Sequence, residues 1–275
     1  MEQARGFLKE LIKIIRKPEM RILPGQLAFF LVMSIIPTIA LVGVITNSLN
    51  IPMDAVRLTI SSSIPKDIAD VLTDLLGGQG FNFNIAVFFI SAFLLASNGT
   101  HSMIITSNEI YKLEPDSIFK RRLKAIMMIF IMLGLFLFLF IVPVCGDTIF
   151  ALLRYYLEDF KPIEIIYQIY QLLKYPIIIF ILYGNIRLLY TIAPDEKVAS
   201  ITTRKGAIFT TIGWVLATEI YSFYIGTFAS YSIFYGSISN ILVLLLWVYI
   251  LSYIFVLGMG LNAGEYHLKQ QENIE

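Results

Sequence analysis

Six stretches of this chain are dominantly apolar, and each is long enough to pass through the hydrocarbon of a bilayer: 27–46, 84–107, 125–145, 176–193, 206–228 and 239–263. A hydrocarbon core about 30 Å thick needs roughly 20 helical residues at about 1.5 Å of rise each, and the fourth stretch is nearest that minimum. Inside such a solvent the backbone has to satisfy its own hydrogen bonds within the segment, so each run is expected to be a helix. Composition agrees, since 57% of the 275 residues are hydrophobic and only 15% are charged, more than a water-facing surface of this size accommodates. The expected fold class is all-α, a polytopic transmembrane helical bundle of about six spans that makes up a single integral-membrane domain over 1–275. The charged stretch from Met1 to Arg21 precedes a span-length run with no small-residue cleavage pattern behind it, so the first span is expected to be retained.

Lysine and arginine orient the spans, because positively charged connections stay in the cytoplasm. One side of the expected topology holds sixteen of them: Arg5, Lys9, Lys13, Arg16, Lys17 and Arg21, then Lys112, Lys120, Arg121, Arg122 and Lys124, then Arg187, Lys197, Arg204, Lys205 and finally Lys269. The other side holds five, Arg57, Lys66, Arg154, Lys161 and Lys174. That alternation fits six crossings with both termini inside. Residues 4–17 interleave Leu8, Leu11, Ile12 and Ile15 with basic side chains, the pattern of an amphipathic helix lying on an anionic leaflet or of a solvated helix packed on its neighbours. A second amphipathic helix is expected at the outer surface after Pro65, ending at Gly77-Gly78, and the fourth helix is expected to begin well before its membrane run.

Several chemistries are excluded. The net charge of +1 gives no reason to expect nucleic acid as a partner. One cysteine, Cys145, and two histidines, His101 and His267, cannot assemble a thiolate or histidine-rich metal site. No phosphate-cradling glycine loop, dinucleotide fingerprint or serine-nucleophile motif is present. The chain is therefore expected to be no enzyme and to carry no metal or cofactor. Its partners are expected to be membrane lipids, with a second copy or other envelope proteins as further candidates.

Polar side chains inside the apolar runs are the candidate functional residues. Glu219 lies near the middle of the fifth run, where an ionised carboxylate costs on the order of 3 kcal/mol; it is read either as a proton- or cation-binding group or as a hydrogen-bonded structural acid. Arg187, Asn98 and Asn185 lie at comparable depth, and Arg187 is expected either to pair with Glu219 or to snorkel outward. His101 follows Asn98 by one turn and is read as a proton relay or as a satisfied histidine at a helix contact. Asn240 and Asn262 complete the candidate intramembrane polar site. Pro37 and Pro143 are candidate kinks, and the small-residue spacings Ala92, Ala96, Thr100 and Gly213, Ala217 are candidate close helix contacts.

The segment Leu27-Ala28-Phe29-Phe30 with Ser34 and Pro37, then Asn108 and Tyr111 ahead of Lys120-Arg121-Arg122, then Tyr190 and Pro194, then Tyr235-Gly236-Ser237, Trp247, Tyr249 and Gly258 through Asn262-Ala263 together resemble the YihY/virulence factor BrkB family of bacterial inner-membrane proteins. The resemblance covers nearly the whole chain in order. It implies a six-span protein of the bacterial cytoplasmic membrane. The family commonly carries an acid two residues before the final asparagine, where this chain has Gly260; if that charge has moved, Glu219 or Glu265 is where it would be. Members have often been labelled ribonuclease BN, a label that the absence of a metal-ligand cluster and of a nucleic-acid fold contradicts. The expected function is transport or flipping of a small solute or lipid; the alternative is an envelope scaffold without flux.

Overall fold

The computed structural model describes residues 2–48, 83–140, 150, 153, 162–228 and 237–272. Among them are seven helices and no strand: α1 (Glu2–Ile15), α2 (Glu19–Ser48), α3 (Phe83–Tyr111), α4 (Ile118–Phe140), α5 (Pro162–Ile192), α6 (Arg204–Phe228) and α7 (Ser237–Glu272). Each apolar run is helical over nearly all of its described residues, and α2 continues through Pro37. The fourth helix starts at Pro162, fourteen residues ahead of the run at 176, with proline in the first helical position where its missing amide donor is harmless. The outer helix expected after Pro65 and the kink at Pro143 lie outside the described residues.

Helices α2 to α7 form a closed ring in which each packs on the next in sequence, α7 returns to α2, and α3 also reaches α7 across the middle. Helix α1 docks on α7. The buried core lies along this α3–α7 axis, with Met103, Ile104, Tyr111, Ile186, Tyr190, Phe255 and Met259 almost fully shielded. The outward faces are apolar: Leu172 on α5 is 75% exposed, Phe180 73% and Phe223 on α6 71%. A contiguous apolar exterior of that kind is a surface built for something other than water. Two described helices, within Ile163–Ile192 and Leu242–Gln271, are long and apolar enough to cross a membrane.

Close helix contacts fall where small residues permit them. Thr100 donates to the carbonyl of Ala125 on α4 at 2.8 Å. A Cβ placed on Gly213 of α6 would stand 2.7 Å from Ile254 Cγ2 of α7, so a side chain there would have to displace Ile254. The start of α4 is capped by Ser117, whose hydroxyl accepts from the Lys120 amide at 3.5 Å. The end of α3 turns through Lys112 in the left-handed region, φ 55°, while the Leu113 amide reaches back to the Asn108 carbonyl at 2.9 Å. Left-handed backbone favours glycine, since a Cβ crowds the following carbonyl. Lys112→Gly is therefore expected to stabilise the protein by about 1 kcal/mol, read as a higher unfolding midpoint in detergent; an unchanged or lower midpoint would show that Lys112 does something there beyond turning the chain.

Candidate functional site

The junction is built around Asp195, which follows Pro194 in the connection between α5 and α6. Its side chain is only 2% exposed. Asn108, in the last turn of α3, donates from Nδ2 to Asp195 Oδ2 and accepts from the Asp195 amide at 3.0 Å. The Asp116 amide donates to Oδ2 at 3.1 Å. From α4, Lys124 Nζ lies 2.7 Å from Oδ1 and also donates to the Pro194 carbonyl at 2.8 Å, while Arg121 Nε stands 3.1 Å from Oδ2 as an ion pair without hydrogen-bond alignment. Burial pushes the Asp195 carboxyl up, but the Lys124 bond, the Asp116 amide, the Asn108 amide and the Lys124 charge outweigh it and hold the group below the usual carboxylate range.

One to two turns further into the bundle, Tyr190 of α5 makes the second half of the junction. Its hydroxyl donates to the Phe255 carbonyl at 2.7 Å and lies 2.6 Å from Thr210 Oγ1. A tyrosine has one proton to give, so Thr210 donates to Tyr190. Glycines make room for this. A Cβ on Gly258 would overlap Thr210 Oγ1 and the Tyr190 hydroxyl, and one on Gly206 would overlap the Gly258 carbonyl and the Asn262 side chain. Asn262 Oδ1 accepts from the Gly206 amide at 2.7 Å, capping the first turn of α6 from a neighbouring helix. Its Nδ2 is fully buried with no partner among the described residues. Tyr111 stacks edge-on against Tyr266 of α7, centroids 5.6 Å apart, and Tyr266 donates to Glu196 at 3.0 Å.

The intramembrane candidates do not converge. Glu219 is exposed on α6 and makes no hydrogen bond or ion pair among the described residues. Arg187 donates from Nε and Nη2 to the Ser200 carbonyl at 3.2 and 3.1 Å, so the Arg187 to Glu219 pair is not formed. Asn98 Oδ1 accepts from Arg122 at 3.0 Å, and Asn185 Nδ2 donates to the Ile131 carbonyl at 3.1 Å. His101 is half-buried, and its Nδ1 has no partner among the described residues. Asn240 lies in α7, its side chain outside the described residues. Only Asn262 belongs to the junction.

The motif residues fare differently. Asn108, Tyr111, Tyr190, Pro194, Gly258 and Asn262 meet at the junction. Leu27 and Ala28 are buried, Phe29 is exposed and edges against Phe30, and Trp247 stacks on Tyr221 at 5.1 Å. Tyr249 faces outward near Tyr253. The side chains of Ser34, Pro37, Tyr235 and Gly236 lie outside the described residues. At Gly260 a Cβ would stand 2.6 Å from Ile14 Cγ2 of α1, so the position without its acid is where α1 seats. Glu265 pairs with Lys205 at 3.4 Å. Asp195 and Thr210 were not singled out from the sequence, and Arg121 and Lys124 entered only as basic residues of the motif loop and of the topology, not as site residues. The one signal available was an acid in a short connection between long apolar runs.

Comparison with known families matches residues 15–274 to Virulence factor BrkB. The chain belongs to that family. It is 29% identical over 266 residues to the "Putative ribonuclease-like protein YfkH" of Bacillus subtilis, covering 94% of each chain. A "UPF0761 membrane protein" of Histophilus somni is 32% identical over 75 residues, 27% of this chain and 26% of that one. Another, of Pseudoalteromonas translucida, is 30% identical over 96 residues, 31% of this chain and 32% of its own. No solved structure matches.

Asp195→Asn removes the charge that Arg121 and Lys124 share, and is expected to cost about 3 kcal/mol, seen as a lower unfolding midpoint. Because the folded Asp195 carboxyl titrates below its unfolded value, its contribution is present above about pH 4 and is lost as pH falls further. The acid-side decline should be shallower in the variant; equal declines would remove Asp195 as its source. Gly258→Ala should cost about 2 kcal/mol by forcing α7 off Tyr190 and Thr210, and a midpoint equal to wild type would contradict the close approach.

Proposed function

We propose that this protein spans a bacterial cell membrane six times with both termini in the cytoplasm, and that it moves a small solute or lipid across it. The reading is supported by relatives named as membrane proteins, by apolar exterior faces and by the lopsided distribution of basic residues. The observation that carries transport is a set of buried polar groups on α3 and α7, two helices that touch. Ser102, Thr106 and Ser107 on α3 and Ser252 and Asn262 on α7 are each no more than 1% exposed, yet each has a polar atom with no partner among the described residues. An unsatisfied buried polar group costs about 1–3 kcal/mol. Five on two touching helices are an expense that a purely structural bundle has no use for, whereas a path for a polar substrate or its water needs such groups.

A second reading has its own observation. Glu219 stands on the outer face of α6 beside the exposed Leu216, Ile220 and Phe223. A carboxylate on an apolar face calls for a partner inside the membrane, as in an envelope scaffold that gathers other proteins. In both readings the protein performs no catalysis, carries no cofactor and does not act on nucleic acid.

Purified protein in liposomes tests these together, with a panel of entrapped solutes and a fluorescent phospholipid as the flux probes. Transport predicts solute or lipid movement above protein-free liposomes, reduced about fivefold, roughly 1 kcal/mol in barrier terms, by the isosteric Thr106→Val. Robust flux sinks the scaffold. Absence of flux, together with co-purifying membrane proteins lost on Glu219→Leu, sinks transport. Cleavage of RNA by the pure protein would overturn both.

A further inference from the structure

Arg122 sits in the second turn of α4, among basic side chains whose usual course is to snorkel towards water and headgroups. Its neighbours have carboxylates: Arg121 and Lys124 share Asp195, and Lys120 pairs with Asp116 at 3.1 Å. Arg122 turns the other way. Its Nη1 donates to Asn98 Oδ1 at 3.0 Å and its Nη2 to the Leu94 carbonyl at 3.2 Å. The Thr100 to Ala125 bond fixes the register of α3 against α4. Asn98 therefore lies about 15 Å along α3 from the Asn108 level, ten residues at about 1.5 Å each.

Both acceptors are neutral, and among the described residues no carboxylate pairs with Arg122. The guanidinium thus carries a full charge into an apolar run with no counter-ion, the arrangement most in need of an outside anion. It is also reachable. Leu94 is 46% exposed, and along α4 Leu123, Met127 and Phe130 are 61%, 47% and 60% exposed, so the α3–α4 groove opens on the bundle's exterior. His101, one turn from Asn98 on α3, has a buried Nδ1 without a partner and lies within electrostatic range of Arg121 and Arg122.

We propose that Arg122, positioned by Asn98, is the binding site for a phosphate-type anion at the exposed α3–α4 groove. A guanidinium held through two N–H groups keeps others for a planar, bidentate hold on phosphate oxygens. The anion is either a phospholipid headgroup or a free phosphate group. The proposal rests on the membrane reading above and names the chemical class of its substrate.

Asn98→Asp is the decisive variant, because it gives Arg122 a built-in carboxylate and should leave the fold intact or firmer. Retention of phosphatidylglycerol against phosphatidylcholine is measured by native mass spectrometry on the full chain, and binding of inorganic phosphate by calorimetry. Arg122→Gln serves as a second variant and the exposed Lys197→Gln as a control for non-specific charge. Wild type should prefer phosphatidylglycerol, or bind phosphate, about tenfold more tightly than Asn98→Asp and Arg122→Gln, with Lys197→Gln unchanged and the Asn98→Asp unfolding midpoint at or above wild type. Lipid retention without phosphate binding assigns the headgroup; phosphate that binds and displaces lipid assigns the free anion. Equal binding by wild type and Asn98→Asp, or no preference in either arm, overturns the site. Binding is read without flux, so variant-sensitive binding in a protein with no flux removes only transport. Flux with binding indifferent to Asn98→Asp removes only this site.

Discussion

A carboxylate withdrawn from water survives only if donors replace the lost solvation, and at Asp195 they come from every direction the chain can offer. One arrives from the last turn of α3, one from the backbone ahead of α4 and two from the first turns of α4, all meeting the connection between α5 and α6. The consequence is geometric. Three long helices that touch mainly through apolar sides, which slide and rotate at little cost, are fixed in depth and rotation at one end by charge-assisted bonds that tolerate only small displacements.

The other fixed point is made of absence. Gly206 and Gly258 bring α6 and α7 so close that a backbone carbonyl fills the space of a side chain, and Asn262 occupies the gap to cap α6. Tyr190 then reaches across to the Phe255 carbonyl with Thr210 donating to it. Here van der Waals packing and interhelical hydrogen bonds replace the hydrophobic drive that helices in lipid lack. Since the Asp195 ties and the Tyr190 contacts both issue from the last turn of α5 and the residues just after it, the two fixed points are mechanically one.

The helices were legible because apolar length is a one-dimensional signal, and the motif residues were legible as a set without their purpose. What sequence did not yield was rotation. Counting gave Glu219 only a depth along α6, and whether it faces the interior depends on the phase of that helix about its axis. That phase is set by Gly206, Gly213 and Trp214 against α7, the last donating to the Leu251 carbonyl at 2.9 Å. A helix with apolar residues on all sides carries no moment to announce it. Arg122 was missed for a related reason. Basic residues beside a span were read as markers of orientation, and a rule about which side of the membrane a residue occupies says nothing about where its guanidinium points.

Helix α1 shows how packing resolves an ambiguity that pattern leaves open. Its basic, amphipathic sequence fits both a leaflet-bound helix and a packed one. Gly260 decides part of the matter by receiving Ile14, which is 4% exposed. A side chain at 260 would have to displace Ile14, so the glycine there and the docking of α1 go together. Yet Ile12 and Ile15 remain 49% and 43% exposed beside Lys9, Lys13 and Arg16. One ridge of α1 is spent on α7, and the flank next to it keeps the apolar and cationic groups that suit a lipid surface, so the two readings describe two faces of the same helix.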